Sequence, residues 1–230
     1  MMDSLLELDR ELLLHLNGSN SLFLDNLAVT LTSGLTWIPL YITLLYVIIK
    51  NNETMKQIML TIGGGLVCII LSDGMADFIV KPMVERFRPS HEPAIKYIVD
   101  IVNGMRDTQY GFFSAHASNT FSIAVFFSLL IRSGKFTIAI VLWSLINCWT
   151  RMYLGLHYPG DILFGLLWGV VAGGITYYAY LRLYLSMSPK FNYISSLYSS
   201  TGYSLSDIDT TLAVLSVLFV YAIIKALVFI

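Results

Sequence analysis

Asp161-Ile162-Leu163-Phe164-Gly165-Leu166-Leu167-Trp168-Gly169-Val170-Val171-Ala172-Gly173-Gly174-Ile175 is the run that decides the fold. After Asp161 the chain carries no charge until Arg182. The run is long and lacks period-two alternation, so it reads as a helix crossing a membrane, at about residues 161–185. Five further apolar stretches meet or approach the roughly 20 residues that a span requires, at about 28–49, 57–79, 117–132, 136–154 and 211–230. The stretch 117–132 is short by this measure. Together they predict an all-α fold, an integral membrane helical bundle of about six transmembrane helices. Gly165, Gly169 and Gly173 recur four apart, with Asp161 one step earlier. Residues at that spacing fall close to one helix face, and small ones permit close helix contact in lipid. Packing is the plain role of these glycines, and it turns the face ending in Asp161 toward the bundle interior.

The composition agrees. Of 230 residues, 56% are hydrophobic and 13% charged, about half the charged share of a soluble domain. A net charge of -1 gives no footprint for a nucleic-acid partner. Cys68 and Cys148 both lie inside apolar runs and read as small hydrophobes. The start of the chain lacks a basic region followed by an apolar segment and a cleavage site, so no removable signal peptide is expected. In residues 2–16, Leu5, Leu6, Leu12, Leu13 and Leu16 alternate at helical spacing with Asp3, Glu7, Asp9, Arg10 and Glu11. That pattern fits an amphipathic helix lying in the membrane interface, or one packed on the bundle. The expected organisation is an N-terminal amphipathic helix in 1–20, a membrane core in 21–190, and a linker with a final span in 191–230.

Three polar clusters interrupt the apolar runs: Lys81 to Pro89, Phe113 to His116, and Arg151 to Asp161. Counting spans from the N-terminus puts all three on one side of the membrane. That side receives more Lys and Arg by raw count. With Lys81, Arg88 and Arg151 set aside for chemistry, the remaining cations favour the other side as cytoplasmic and this one as outer.

Ionisable groups near spans are functional candidates by default. His157 and Asp161, spaced i and i+4, can pair so that the carboxylate fixes one imidazole tautomer and leaves the other nitrogen free to attack. They can also be a self-satisfied polar pair. Arg151 offers a planar fork that matches phosphate oxygens, or snorkels to the headgroups. Lys81 and Arg88, seven apart, can share a helix face and neutralise a phosphoryl group, or form a basic rim that attracts anionic lipid. Ser114 can donate to a phosphoryl oxygen or cap a helix, and His116 can act as general acid or stand in the first turn. Arg86 and His91 fall outside this predicted set. The spacing of the histidines and Asp161 matches no compact metal motif, so no metal and no cofactor is expected.

These segments resemble the signature of the type 2 phosphatidic acid phosphatase superfamily. Lys81…Arg88-Pro89, Phe113-Ser114-Ala115-His116 and Thr150-Arg151…His157…Asp161 carry its seven functional positions in order and spacing. Phe113, Ala115 and Thr150 depart from the pattern's Pro, Gly and Ser, and none of them removes a catalytic group. The resemblance implies a metal-independent membrane lipid phosphatase with a phosphohistidine on His157, oriented by Asp161. His116 would be the acid and then the base, and Lys81, Arg88, Ser114 and Arg151 would hold the phosphoryl oxygens. It implies a lipid phosphate or diphosphate substrate, with undecaprenyl diphosphate foremost and phosphatidylglycerol phosphate, phosphatidic acid and lipid A phosphates open. The expected location is a bacterial inner membrane, with the site at the periplasmic or outer face. A phosphotransferase using the same phosphohistidine and a non-enzymatic headgroup-binding bundle are the alternatives.

Overall fold

The computed structural model describes residues 2–187 and 196–228. Helix α1 spans Met2–Leu16, α2 Leu22–Thr32, α3 Ile38–Lys50, α4 Met55–Asp73, α5 Lys81–Val84, α6 Ala115–Ile131, α7 Gly134–Tyr153, α8 Pro159–Met187 and α9 Leu205–Val228. A π-helical stretch, Gly74–Val80, joins α4 to α5, so one helical rod runs from Met55 to Val84. Among the described residues that rod, α8 and α9 are each long and apolar enough to cross a membrane. Helix α2 and the helical stretch Gly34–Lys50 reach that length only as a pair, bent by 64°. With α6 and α7 packed among them, the result is a helical membrane bundle.

The predicted first span, 28–49, is therefore not one straight helix. Ser33 leaves the helical region at φ -72 and ψ 121, and Pro39 in the first turn of α3 has no N–H to extend a continuous ladder. The carbonyls freed at the bend find side-chain donors. Thr36 Oγ1 donates to the Thr30 carbonyl at 2.6 Å, and Trp37 Nε1 donates to the Leu31 carbonyl at 2.9 Å. An irregular backbone is tolerated at membrane depth only when its polar groups are met in this way.

The second span overruns its predicted end at 79. The rod stops at Glu85, whose φ of 50 is left-handed. Lys81 thus sits on the last helical turn and Arg88 lies beyond the helix, so the two do not share a helix face. At the other end of the chain, residues 205–210 belong to α9 and not to a linker. Asp207, buried in the first turn of α9, takes Lys50 Nζ at 2.7 Å and Asn51 Nδ2 at 3.1 Å. Those bonds dock α9 against the end of α3. The predicted linker residues 191–195 lie outside the described residues.

The tightest helix contact is α8 on α6, and the three glycines make it. A Cβ on Gly165 would stand 2.7 Å from the Ser114 carbonyl oxygen, one on Gly169 3.0 Å from that of Ser118, and one on Gly173 2.6 Å from that of Ser122. The α6 backbone fills the space that side chains would occupy, as the spacing predicts. This contact holds the start of α6 against the start of α8. Helix α1 docks beside the same end: Leu13 is fully buried among Ile95, Val99 and Tyr158, while Leu5, Leu6, Leu8 and Leu12 remain exposed.

Gly169→Val is expected to lose about 1–3 kcal/mol to overpacking and to melt several degrees lower in detergent. Gly174→Ala, whose added methyl meets nothing within 4 Å, should melt like the parent. Equal melting temperatures for all three proteins would show that α8 and α6 do not depend on close approach.

Candidate active site

The ends of the α4–α5 rod, α6 and α7, together with the 85–113 loop and the turn that leads into α8, line an open cavity of about 840 Å³. Lys81, Arg88, His116, Arg151 and His157 all line it. The three clusters separated in sequence thus meet at one end of the bundle. The other two predicted residues stand behind the wall. Asp161 is fully buried behind His157, and Ser114 is fully buried as the N-cap of α6, its Oγ accepting from the Ala117 N–H at 3.3 Å. Capping, one of the two roles the sequence allows for Ser114, is what the structure shows.

His157 is placed by a tight exit from α7. Gly155 takes a left-handed φ of 66, and the N–H groups of Leu156 and His157 donate back to the Arg151 carbonyl at 3.0 and 3.3 Å. The chain then re-enters a helix at Pro159, whose missing N–H costs little in a first turn. His157 Nε2 lies 2.7 Å from Arg88 Nη1. A guanidinium only donates, so Nε2 accepts and the ring proton belongs on Nδ1. Nδ1 faces Asp161 Oδ2 at 3.4 Å. Burial, then the charges of Arg88, Arg151 and Lys81, hold the imidazole pKa well below its usual value. At neutral pH it is uncharged, with a lone pair directed to the Arg88 side of the cavity.

Asp161 is held by more than His157. Arg86 Nη1 donates to its Oδ1 at 2.9 Å and the Tyr158 N–H to its Oδ2 at 3.1 Å. Arg86 also donates to Asp9 Oδ2 at 2.7 Å and lies over the Tyr158 ring, 4.1 Å from its centroid. Asp9 Oδ1 in turn accepts from the Gly160 N–H at 2.7 Å, a carboxylate at the N-terminus of α8. Arg86, set aside on sequence, therefore belongs to the support of the site. His91 does not: it bonds Ser90 Oγ at 3.1 Å and does not line the cavity. Gly111 is a second position that sequence reading passed over. A Cβ there would stand 2.9 Å from Arg88 Cγ, 3.3 Å from Asp161 Oδ2 and 3.5 Å from His157 Nδ1.

Across the cavity the cations converge. Arg88 also donates to the Leu156 carbonyl at 3.0 Å and to Thr108 Oγ1 at 3.3 Å. Arg151 Nη1 is held by Thr32 Oγ1 at 3.1 Å, so the bend after α2 supplies a ligand to the site. Asp107 Oδ2 lies 3.2 Å from both Arg88 Nη2 and Arg151 Nη2. Lys81 pairs with Asp77 one helical turn away. His116 has a buried Nε2 with no hydrogen-bond partner among the described residues. Two guanidinium forks, an ammonium and two imidazoles on one cavity suit a tetrahedral oxyanion with a nucleophile on one side. Among the described residues no three His, Cys, Asp or Glu side chains are grouped to hold a metal ion.

Known proteins resemble this chain in the same region. Residues 62–184 match the PAP2 superfamily. A lipid A 4'-phosphatase of Bacteroides thetaiotaomicron is 38% identical over 77% of this chain and 79% of its own. A lipid A 4'-phosphatase of Porphyromonas gingivalis is 33% identical over 78% of this chain and 76% of its own. A decaprenylphosphoryl-5-phosphoribose phosphatase of Mycobacterium tuberculosis is 35% identical over 42% of this chain and 49% of its own. No solved structure matches the chain.

Removing Arg86 leaves the Asp161 charge buried without its guanidinium. Arg86→Leu is expected to cost about 3–5 kcal/mol, with Arg86→Lys intermediate because one ammonium cannot fork between two carboxylates. Thermal melts in detergent measure this, and a Leu variant as stable as the parent would remove Arg86 from its supporting place. The neutral His157 also sets a pH dependence. Below about pH 6.5 the unfolded chain takes up a proton there that the folded state refuses, so stability falls as pH drops from 7 toward 5. His157→Gln should flatten that fall.

Proposed function

The chain belongs to the PAP2 superfamily and is a membrane lipid phosphatase, a phosphoric monoester hydrolase; we propose that it removes a phosphomonoester from the sugar headgroup of a bacterial lipid, as a lipid A 4'-phosphatase does. The observation that carries the phosphatase chemistry is the neutral His157 with Nε2 directed at a guanidinium-lined cavity and Nδ1 against Asp161. Two lipid A 4'-phosphatases that align with more than three quarters of the chain support the sugar phosphate. Hydrolysis of undecaprenyl diphosphate, foremost on the sequence, is the second reading. It uses the same residues on a longer anion.

In the proposed mechanism the phosphate enters between Arg88, Arg151 and Lys81, and Arg88 turns from Nε2 to a phosphoryl oxygen. His116 takes up a proton as the phosphate dianion enters beside it; the Nε2 lone pair attacks phosphorus as the bond to the sugar oxygen breaks, and His116 gives that oxygen the proton. Asp161 stabilises the positive charge on the phosphorylated ring through Nδ1–H. His116 then takes a proton from water, which attacks phosphorus, breaks the P–N bond and restores His157. We place the site at the periplasmic face of the inner membrane, on the balance of loop cations.

Purified protein in detergent is expected to release phosphate from lipid A bearing a 4'-phosphate faster than from undecaprenyl diphosphate or phosphatidic acid, and to keep full activity in excess EDTA. His157→Ala should lower the rate at least about a thousandfold. Preference for undecaprenyl diphosphate would select the second reading. A His157→Ala protein with parental activity would overturn the mechanism.

A further inference from the structure

We infer that Asp107 is a built-in competitor for the phosphoryl subsite: its carboxylate occupies the place between Arg88 and Arg151, and a phosphate enters only by exchanging with it. The inference rests on reading the cavity as the phosphate site. One oxygen, Oδ2, lies 3.2 Å from a terminal nitrogen of each arginine. An oxygen anion therefore already stands where the two forks converge.

The arrangement follows from burial. Arg88 is 2% exposed and stays charged, so it requires a nearby anion whether or not a substrate is bound. Asp107 supplies that anion in the resting protein. Burial pushes the Asp107 pKa up, and Arg88, the Thr108 N–H and Arg151 together outweigh it and hold the pKa below its usual value. The two arginines are also gripped from behind, by the Leu156 carbonyl and by Thr32 Oγ1. Neither of these bonds depends on Asp107. Asp107 is nearer to solvent, although its Oδ1 also accepts from the Thr108 N–H at 2.7 Å. Its side chain is 38% exposed, and it lies on a stretch without regular structure after the 3-10 turn Val102–Gly104.

Exchange has a definite thermodynamic form. If the open state is a fraction of the resting population, every ligand of that state is weakened by the same factor. A membrane surface presents phosphodiester headgroups in large excess over any one phosphomonoester. A common penalty moves these weak ligands out of their binding range and leaves a tighter substrate bound. The same return of Asp107 displaces product phosphate.

The test compares the full-length protein with Asp107→Asn and Asp107→Ser in detergent. Calorimetry measures the binding of phenylphosphonate, a dianion at pH 8, and of dimethyl phosphate, a monoanion. Both variants are expected to bind both anions tighter by one shared factor of about ten or more, which leaves the ratio of the two affinities as in the parent. Unchanged or weaker binding in the variants would overturn the inference and make Asp107 a brace for the arginines. Tightening confined to the dianion would also overturn it, because repulsion at a distance scales with ligand charge and displacement does not. Failure of the parent and both variants to bind either anion would instead overturn the phosphate reading of the cavity, and the inference with it.

Discussion

Asp161, with no exposure to solvent, carries its carboxylate between an imidazole and a guanidinium, and the rest of the site is arranged around answering that charge. A buried ion is tolerated only when its attraction and hydrogen bonds repay the water it has lost. Arg86 and the Tyr158 N–H meet it on one side, and His157 Nδ1 faces it on the other. Arg86 then needs a second anion, and Asp9 supplies it from α1. On the far side, His157 Nε2 meets Arg88, Arg88 meets Asp107, and Asp107 meets Arg151. Charges of alternating sign, with the neutral His157 between Asp161 and Arg88, thus run across the end of the bundle.

The bundle makes that sequence of contacts possible. Helix α8 brings Asp161 in on its first turn, and the glycine face behind it presses α8 onto α6, which brings in His116. The same closeness lets the Ser114 N–H donate to the Asp161 carbonyl at 3.1 Å. The bend after α2 leaves Thr32 facing Arg151. Several features that interrupt regular structure, among them the π-helical stretch before Lys81 and the left-handed Glu85 and Gly155, lie at the cavity end. Such irregularities often mark functional positions.

The groups proposed for the chemistry stand out in the sequence because their types are unusual in an apolar chain and their partners lie nearby. His157 and Asp161 are one helical turn apart, and the three glycines announce a packing face by spacing alone. What supports them was not legible. Arg86 meets Asp161 across 75 positions and Asp9 across 77. Nothing in the local pattern separates it from Arg88, two residues on. Asp107 lies in a polar loop where a carboxylate is unremarkable, and Gly111 reads as a turn glycine until Arg88 and His157 are packed against it. The bend in the first span was missed for a different reason. Mean hydropathy is indifferent to whether a run is straight, and the bonds that permit the bend come from Thr36 and Trp37, which count as ordinary span residues.

The contact of Asp9 with Arg86 and Gly160 gives the N-terminal helix a meaning beyond membrane attachment. A segment that a designer would trim as an anchor carries one corner of the candidate active site. Residues 9 and 86 are consequently coupled: loss of the charge at either leaves the other without its partner, and Arg86 answers Asp161 as well. Chimeras that exchange the first twenty residues between related phosphatases would have to respect that pairing, although neither residue touches the phosphate.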